Sequence, residues 1–162
     1  MKVHVYSDGS SHARSGLPGG WGFVVEADGA EVLRGSGAHP STSNNRMELM
    51  GAIEGLKAAG LWLVGKGIDD ALVELTSDSQ YVVGLANRAS SPTVNLDLVE
   101  RLQKFMGVLG AQATWVKGHA GHPQNEACDQ LAHAAKVRMV SDLKSLGVKK
   151  VKCQCPTCGN RH

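Results

Sequence analysis

The spacing of hydrophobic residues changes along the chain from alternation to a helical period, and this order limits the possible folds. Residues 2–7 alternate and are rich in β-formers, which predicts a strand that ends at Asp8. Two more strand-like runs, residues 21–27 and 31–37, are joined by an Asp-Gly dipeptide that is typical of hairpin turns. This part of the chain therefore predicts three antiparallel strands.

From about residue 45 the apolar residues recur at helical spacing up to Gly60, which predicts the first helix. Pro123 suits the first turn of a last helix, where its missing N–H removes no hydrogen bond. Between these two helices, strand and helix patterns follow one another. They predict a strand at residues 71–77, a helix from residue 79, a helix at residues 96–109 and a strand at residues 111–117. This order predicts a mixed α/β sheet.

The charge is distributed unevenly. The chain of 162 residues holds 17 basic and 15 acidic side chains, a formal net charge of +2. This average lacks the basic signature of a nucleic-acid-binding protein and by itself favours a small-molecule enzyme. Residues 144–162 carry five basic side chains and no acid, so residues 1–143 hold 12 basic against 15 acidic groups. We therefore expect one domain, residues 1–143, followed by a basic tail, residues 144–162.

Targeting signals are not found in the sequence. No apolar run approaches the ~18 residues of a membrane span, and the N-terminal residues lack the apolar core of a signal peptide. One cysteine stands alone and three crowd the C-terminus, which is unlike the disulfide framework of a secreted protein. We therefore expect a cytoplasmic, monomeric protein that does not contact membranes.

Four carboxylates occupy the ends of predicted elements: Asp8 and Asp78 follow strands, and Glu48 and Asp129 lie near the starts of helices. If the two strands are parallel neighbours, joined by a right-handed crossover, Asp8 and Asp78 meet at one edge of the sheet. Glu48 and Asp129 border the apolar faces of their helices and are expected to point to the same edge. Such a cluster requires cations, and its oxygen ligands favour Mg²⁺ or Mn²⁺, a pair of which suits phosphoryl transfer.

Each carboxylate also has an ordinary structural explanation. Asp8 before a glycine is typical of a turn, and Asp78 is typical of an N-cap. Glu48 fits a first-turn acid favoured by the helix dipole, and Asp129 fits a solvated surface group. Spacing alone leaves these explanations open.

The local sequences are more specific than the spacing. The chain contains YSDGS at residues 6–10, TSNNRMEL at residues 42–49, TSDSQYV at residues 76–82 and WVKGHAGHPQNEACD at residues 115–129. In this order the four segments closely resemble the motifs of type 1 ribonuclease H, over roughly residues 1–140. The resemblance implies an endonuclease that cuts the RNA strand of RNA·DNA hybrids and leaves 3′-hydroxyl and 5′-phosphate ends. It also implies a five-stranded mixed sheet, three antiparallel strands and then two parallel ones, flanked by helices.

By the same resemblance, the four carboxylates Asp8, Glu48, Asp78 and Asp129 are catalytic and hold two Mg²⁺ ions, for which Mn²⁺ can substitute, with Asp8 bridging both. His119 matches a family histidine on a mobile loop that aids proton transfer or product release; the alternative is an ordinary loop histidine. Imidazole suits proton exchange because it titrates near neutral pH. The resemblance assigns hybrid contacts to Gly9, Ser10, Ser43, Asn44, Asn45 and Gln80, of which the asparagines could instead be helix caps.

Two features depart from the family pattern. The basic, Trp-bearing insertion of some members is absent, since residues 87–95 carry one charge and no aromatic side chain. The tail supplies four possible ligands of a structural zinc ion, Cys153, Cys155, Cys158 and His162. An unstructured reduced tail and redox pairing of the thiols remain alternatives. We hypothesise that the basic residues of the tail replace the insertion in gripping the hybrid.

Two other functions compete with catalysis by a ribonuclease. One is a non-catalytic domain of the same fold that binds hybrids or other nucleic acids. Against it, a pure binding module has no reason to hold four like charges together. The other is a different nuclease or integrase of the same superfamily, which the motifs at residues 44–48 and 117–119 disfavour.

Overall fold

The protein is described by a computed structural model in which residues 1–148 are placed, and the predicted zinc ligands of the tail lie outside these residues. Five strands and four helices follow one another along the described chain. They are β1 (Lys2–Ser11), β2 (Leu17–Ala27), β3 (Ala30–Thr42), α1 (Asn44–Lys66), β4 (Leu72–Ser77), α2 (Gln80–Ala86), α3 (Leu96–Leu109), β5 (Gln112–Trp115) and α4 (Pro123–Ser145).

The strands form one mixed sheet in the order β3-β2-β1-β4-β5. β2 pairs antiparallel with both β1 and β3, whereas β4 pairs parallel with β1, and β5 pairs parallel with β4. Asp28 and Gly29 connect β2 to β3 with φ of 50° and 84°, the two positive values that a type I′ hairpin turn requires. The predicted fold class and the predicted hairpin are confirmed.

The first strands are longer than predicted, and the prediction that β1 ends at Asp8 is wrong. Its parallel ladder with β4 stops at Ser7, but antiparallel pairing with β2 continues to Ser11. β2 likewise begins at Leu17 instead of residue 21. Glycines at residues 19, 20 and 22 hide this extension in the sequence, because glycine is depleted in strands and carries no hydrophobic signal.

The first helix also passes its predicted end. α1 continues through Gly60 to Lys66, and Gly67 ends it in the left-handed conformation with φ of 66°. The Gly67 N–H lies within reach of the carbonyl oxygens of Leu63 and Val64, which completes a glycine C-cap. Gly60 is tolerated inside the helix because α3 packs there: a Cβ atom at this position would lie 3.3 Å from Leu109 Cδ2. Among the helices of residues 1–148, none is both long and apolar enough to cross a bilayer.

The helices cover both faces of the sheet. A Cβ atom on Gly19 would meet the Met47 side chain of α1, whereas one on the next residue, Gly20, would meet α4 at Ala132. Because successive strand residues point to opposite faces, α1 and α4 lie on opposite sides of β2. On the α1 side the core contains large side chains, among them Leu49, Ile53, Leu56, Leu75, Leu85 and Leu102, all of which are fully buried.

On the other face, α4 contacts β2 through small residues and backbone. Cys128, Ala132 and Ala135 are its buried apolar residues. A Cβ atom on Gly20 would lie 2.2 Å from the Ala132 carbonyl oxygen, and one on Gly22 would lie 2.8 Å from the Cys128 carbonyl oxygen. These glycines therefore set how closely α4 approaches the sheet.

Replacing Gly20 tests this contact. We expect Gly20→Ala to destabilise the fold by about 2–3 kcal/mol, because the helix must shift to admit a methyl group. The control is Gly65→Ala on α1, where an added Cβ atom has nothing within 4 Å. We expect this control to be neutral or to stabilise by up to about 1 kcal/mol, as alanine is the better helix former. Urea denaturation of both variants measures the difference, and equal stabilities would contradict the proposed contact.

Candidate active site

Asp8 and Asp78 are neighbours because β1 and β4 are parallel and paired. Ser7 faces Ser77 in the ladder, and each aspartate is the next residue of its chain segment. The predicted parallel arrangement of these two strands is therefore confirmed. It brings two carboxylates to the edge where the carboxyl ends of the strands meet.

Glu48 joins them because α1 begins directly against β1. A Cβ atom on Gly9 would lie 2.4 Å from the Glu48 backbone nitrogen, and one on Gly51 would lie 2.7 Å from the Asp8 carbonyl oxygen. Only glycine permits both approaches. The first turns of the helix are thus held at the sheet edge, with Glu48 on the side of the aspartates.

The carboxylates of Asp8, Glu48 and Asp78 form a cluster in which one oxygen from each lies within 4.8 Å of the others. Asp8 is 6% exposed, and the other two are half-buried. Asp129 is also half-buried but is not part of this group. Its charge nevertheless contributes to raising the pKa of Asp8, so it lies at the same edge. Three of the four predicted carboxylates therefore converge closely, and the fourth lies nearby.

Burial and mutual repulsion disfavour the ionised cluster. Burial raises the pKa of the Asp8 carboxyl to about 8, with the charge of Asp78 as the next cause, while a hydrogen bond from the Gly9 N–H (2.8 Å) opposes the shift. Burial also raises the pKa of Glu48, against hydrogen bonds from Ser79 and Asn44. A cation would relieve both effects, since it returns the carboxylates to their charged forms.

The donor set fits a hard divalent cation. Carboxylate oxygens are the ligands that Mg²⁺ and Mn²⁺ prefer. The buried thiol of Cys128 is close enough to feel the charge of Asp8, but burial raises its pKa to about 12. The thiol therefore stays protonated at neutral pH and does not compete as a soft ligand.

Asn125 belongs to the last of the four sequence motifs, where no role was predicted for it, and the structure places it in the site. It is 4% exposed, and its Nδ2 atom donates to Asp78 Oδ2 at 3.4 Å. Asn44 similarly donates to Glu48 Oε1 at 3.1 Å. The signal available in the sequence was an asparagine in the predicted first turn of the last helix, four residues before Asp129. These amides orient two of the clustered carboxylates.

His119 lies on an exposed loop that passes over Asp78. A Cβ atom on Gly118 would lie 2.8 Å from Asp78 Oδ2, so the loop backbone approaches the carboxylate directly. His119 itself has a φ of 54°, a left-handed conformation that is uncommon outside glycine. His119 thus directly follows the glycine that approaches Asp78, but it is not part of the carboxylate cluster.

The N-terminus of α1 carries three of the predicted hybrid contacts. The helix cap is Ser43, whose hydroxyl accepts a hydrogen bond from the Arg46 N–H at 3.3 Å. Asn44 and Asn45 are the exposed first residues of the helix, so the alternative that they are caps is wrong. All three line an open groove of about 560 Å³, together with Ser11, His12, Ala13 and Ser15.

The remaining predicted contacts flank the same edge. Gly9 and Ser10 belong to β1, and Gln80 is the exposed first residue of α2. The N-cap of α2 is Ser79, which excludes the cap explanation for Asp78. Glu48 lies beyond the first turn of α1, which holds no acid, so the helix-dipole explanation for Glu48 also fails.

Comparison with known proteins agrees with the geometry. A sequence model of the RNase H family matches residues 1–136. The chain belongs to the RNase H family. A relative from Lachnoclostridium phytofermentans, named Ribonuclease H, is 39% identical in an alignment of 153 positions that covers 83% of this chain and 92% of the relative. The resemblance expected from the motifs is therefore confirmed, and the chain is an enzyme, a hydrolase of the ribonuclease H type.

Solved structures give the same fold. The N-terminal RNase H domain of rv2228c from Mycobacterium tuberculosis, solved as a fusion with maltose-binding protein, aligns with a TM-score of 0.73 at 25% identity, covering 87% of this chain and 97% of that one. LC11-RNase H1 in complex with an RNA/DNA hybrid aligns with a TM-score of 0.72 at 20% identity, covering 85% and 99%. The second likeness concerns the fold alone.

The raised pKa of Asp8 predicts how the metal-free protein responds to pH. The folded state holds this carboxyl protonated up to about pH 8, whereas the unfolded chain ionises it near its ordinary value of 3.8. Stability is therefore lost as the pH rises between these values. We expect Asp8→Asn to stabilise the metal-free protein at pH 8 by on the order of 2–4 kcal/mol, and the gain to vanish near pH 4.

Thermal unfolding in EDTA across this pH range measures the effect. Asp142→Asn, which removes an exposed carboxylate of α4, is the matched control and is expected to change stability little at any pH. A gain for Asp8→Asn that did not depend on pH would show that repulsion and burial of the carboxylate are not its cause.

Proposed function

We propose that this chain hydrolyses the RNA strand of RNA·DNA hybrids and leaves 3′-hydroxyl and 5′-phosphate ends. The observation that carries the proposal is the cluster of Asp8, Glu48 and Asp78 at one edge of the sheet, in a chain of the RNase H family. LC11-RNase H1, which shares this fold, was solved with an RNA/DNA hybrid, so the fold is able to bind such a duplex.

Asp8, Glu48 and Asp78, with Asp129 beside them, are the residues that would hold two Mg²⁺ ions, or Mn²⁺ in their place. When bound, the two ions would activate a water molecule and would stabilise the negative charge on the leaving 3′ oxygen. The chain itself contributes the arrangement of the ligands: the Asn125 amide orients Asp78, and the Asn44 amide orients Glu48.

His119 is the proposed proton carrier. The loop from residue 118 to residue 121 contains two glycines, of which Gly121 has a φ of 82°. The His119 ring is exposed at this loop, next to the carboxylate edge. An imidazole in this place can carry a proton between solvent and a leaving group.

The helix termini at the site provide the proposed contacts with the hybrid. Asn44 and Asn45 on α1 and Gln80 on α2 would reach base edges and sugars in the minor groove, where the 2′-hydroxyls of RNA are displayed. The backbone of Gly9 and Ser10 would lie near these hydroxyls. Ser43, at the positive end of the α1 dipole, would contact a phosphate of the DNA strand.

Cleavage of a labelled hybrid tests the proposed reaction. We expect the wild-type protein to cut the RNA strand in Mg²⁺ and not in EDTA, and we expect Asp8→Asn to lower the rate by about 10³-fold or more. Asp142→Asn, on the exposed side of α4, is expected to cleave normally. Cleavage that persists in EDTA or in Asp8→Asn would refute the metal mechanism, and hybrid binding without cleavage would establish the non-catalytic alternative.

The tail remains a separate proposal. Its zinc ligands and its role in gripping the hybrid are predictions from the sequence, and residues 149–162 lie outside the described part of the chain. Within the described residues, α4 ends at Ser145, and the Val148 N–H donates to the Leu143 carbonyl oxygen. The division of the chain at residue 143 therefore falls inside α4, and Val148 is the better point for a truncation.

Removing residues 149–162 tests whether the tail binds the hybrid. If the tail neutralises phosphates of the hybrid, the slope of log affinity against log salt should become shallower by about 0.9 for each phosphate that the truncated protein leaves unbound. KM should rise while kcat changes little. The measurements are hybrid affinity at several salt concentrations and steady-state kinetics. An unchanged slope would show that these residues do not bind the hybrid.

A further inference from the structure

A polar junction joins the N-terminal parts of three helices on the α1 side of the site. Arg46, in the first turn of α1, donates to both carboxylate oxygens of Asp97 on α3, at 3.0 and 2.9 Å. The same guanidinium donates to Asn95 Oδ1 at 3.3 Å. Asn95 in turn donates from Nδ2 to Tyr81 Oη on α2, at 3.0 Å. None of these four residues has a role predicted from the sequence.

Two side chains of the junction are largely buried. The Arg46 side chain is 13% exposed and Asn95 is 5% exposed, so both are held within the protein. Asn95 adopts the left-handed conformation, with φ of 57°, at the N-cap of α3, and its carbonyl accepts from the Leu98 and Val99 N–H groups. A bidentate guanidinium–carboxylate pair is among the strongest and most directional of side-chain contacts. These contacts connect the three helix termini, and Asp97, whose side chain is 53% exposed, is the solvent-facing partner.

The elements joined here also carry the proposed hybrid contacts. Asn44 and Asn45 immediately precede Arg46 on α1, and Gln80 immediately precedes Tyr81 on α2. Binding in a groove of fixed width requires a fixed distance between these contacts. A second link between α1 and α2, from Ser79 to Glu48, uses a carboxylate that we propose holds a metal ion. The Arg46 junction contains no proposed metal ligand.

We propose that Arg46 is a positioning residue for substrate binding. Through Asp97 and Asn95 it sets the distance between the asparagines on α1 and Gln80 on α2, so that both contact one hybrid at once. This inference rests on the proposed function. Glu48 does not depend on the junction, because the close approach of Gly9 to the α1 backbone holds it against β1. Loss of the junction therefore weakens binding and leaves the metal chemistry in place.

Arg46→Lys tests the proposal because it keeps the positive charge and removes the bidentate hydrogen bonding to Asp97. We expect it to raise KM for the hybrid by about fivefold or more, with kcat within about twofold of the wild-type value. Asp97→Asn, which keeps the shape of the side chain and removes its charge, is expected to act in the same direction and less strongly. Circular dichroism and thermal unfolding verify that each variant is folded.

Arg101→Lys is the matched control. Arg101 also joins α3 to α1, through an ion pair with Glu54 in which Nη2 lies 3.5 Å from Oε1, but further along both helices. We expect this variant to bind and cleave as the wild type does. An unchanged KM in folded Arg46→Lys, an equal rise in Arg101→Lys, or a loss of kcat instead of affinity would each overturn the proposal.

Direct binding separates this inference from the proposed reaction. The dissociation constant of a fluorescent RNA·DNA hybrid is measured in EDTA for the wild type and all three variants. If the wild type cleaves no hybrid, the proposed reaction is refuted, and the positioning role is decided by binding alone. Weaker binding in Arg46→Lys than in Arg101→Lys supports the role, and equal binding by the two variants refutes it.

Discussion

The close approach of two helices to the first two strands is the constraint on which the site depends. Gly9 and Gly51 let the start of α1 touch the end of β1, while Gly20 and Gly22 let α4 lie against β2 with backbone in contact. A side chain at any of these positions would move a helix outward and its carboxylate with it. These glycines thus set the distances of Glu48 and Asp129 from Asp8.

The same closeness makes the site unfavourable for the metal-free protein. Three carboxylates share one edge, and burial together with mutual repulsion raises the pKa of Asp8 to about 8. The large side chains between α1, α3 and the sheet offset this cost by removing apolar surface from water. The residues that stabilise the fold and the clustered carboxylates are therefore in different parts of the molecule. The hydrophobic core on the α1 face stabilises the fold, whereas the carboxylates at the sheet edge destabilise it.

Charge also explains why composition alone misleads. The near-neutral total combines a body of 12 basic and 15 acidic groups with a tail of five basic groups. Four of the body's acids are the proposed metal ligands, so two bound divalent cations would neutralise them and leave the surface proposed to bind the hybrid more positive. The expectation of a small-molecule enzyme arose because the net charge was averaged over an acidic body and a basic tail. Membership of the RNase H family shows this expectation to be wrong.

The sequence by itself determined the order of strands and helices, the Asp-Gly hairpin, the parallel pairing of β1 with β4 and the identity of the clustered carboxylates. These follow from local periodicity, turn chemistry and contiguous motifs. Only the tertiary structure decided that β1 extends to Ser11, that α1 passes Gly60, and that Ser43 instead of Asn44 caps α1. It alone placed Asn125 against Asp78 and joined Arg46 to Asn95. The reason is physical. The partners in these two contacts are 47 and 49 residues apart in the sequence. The strand extension contains glycines, which give no hydrophobic signal in the sequence and are needed because helices pack closely against them.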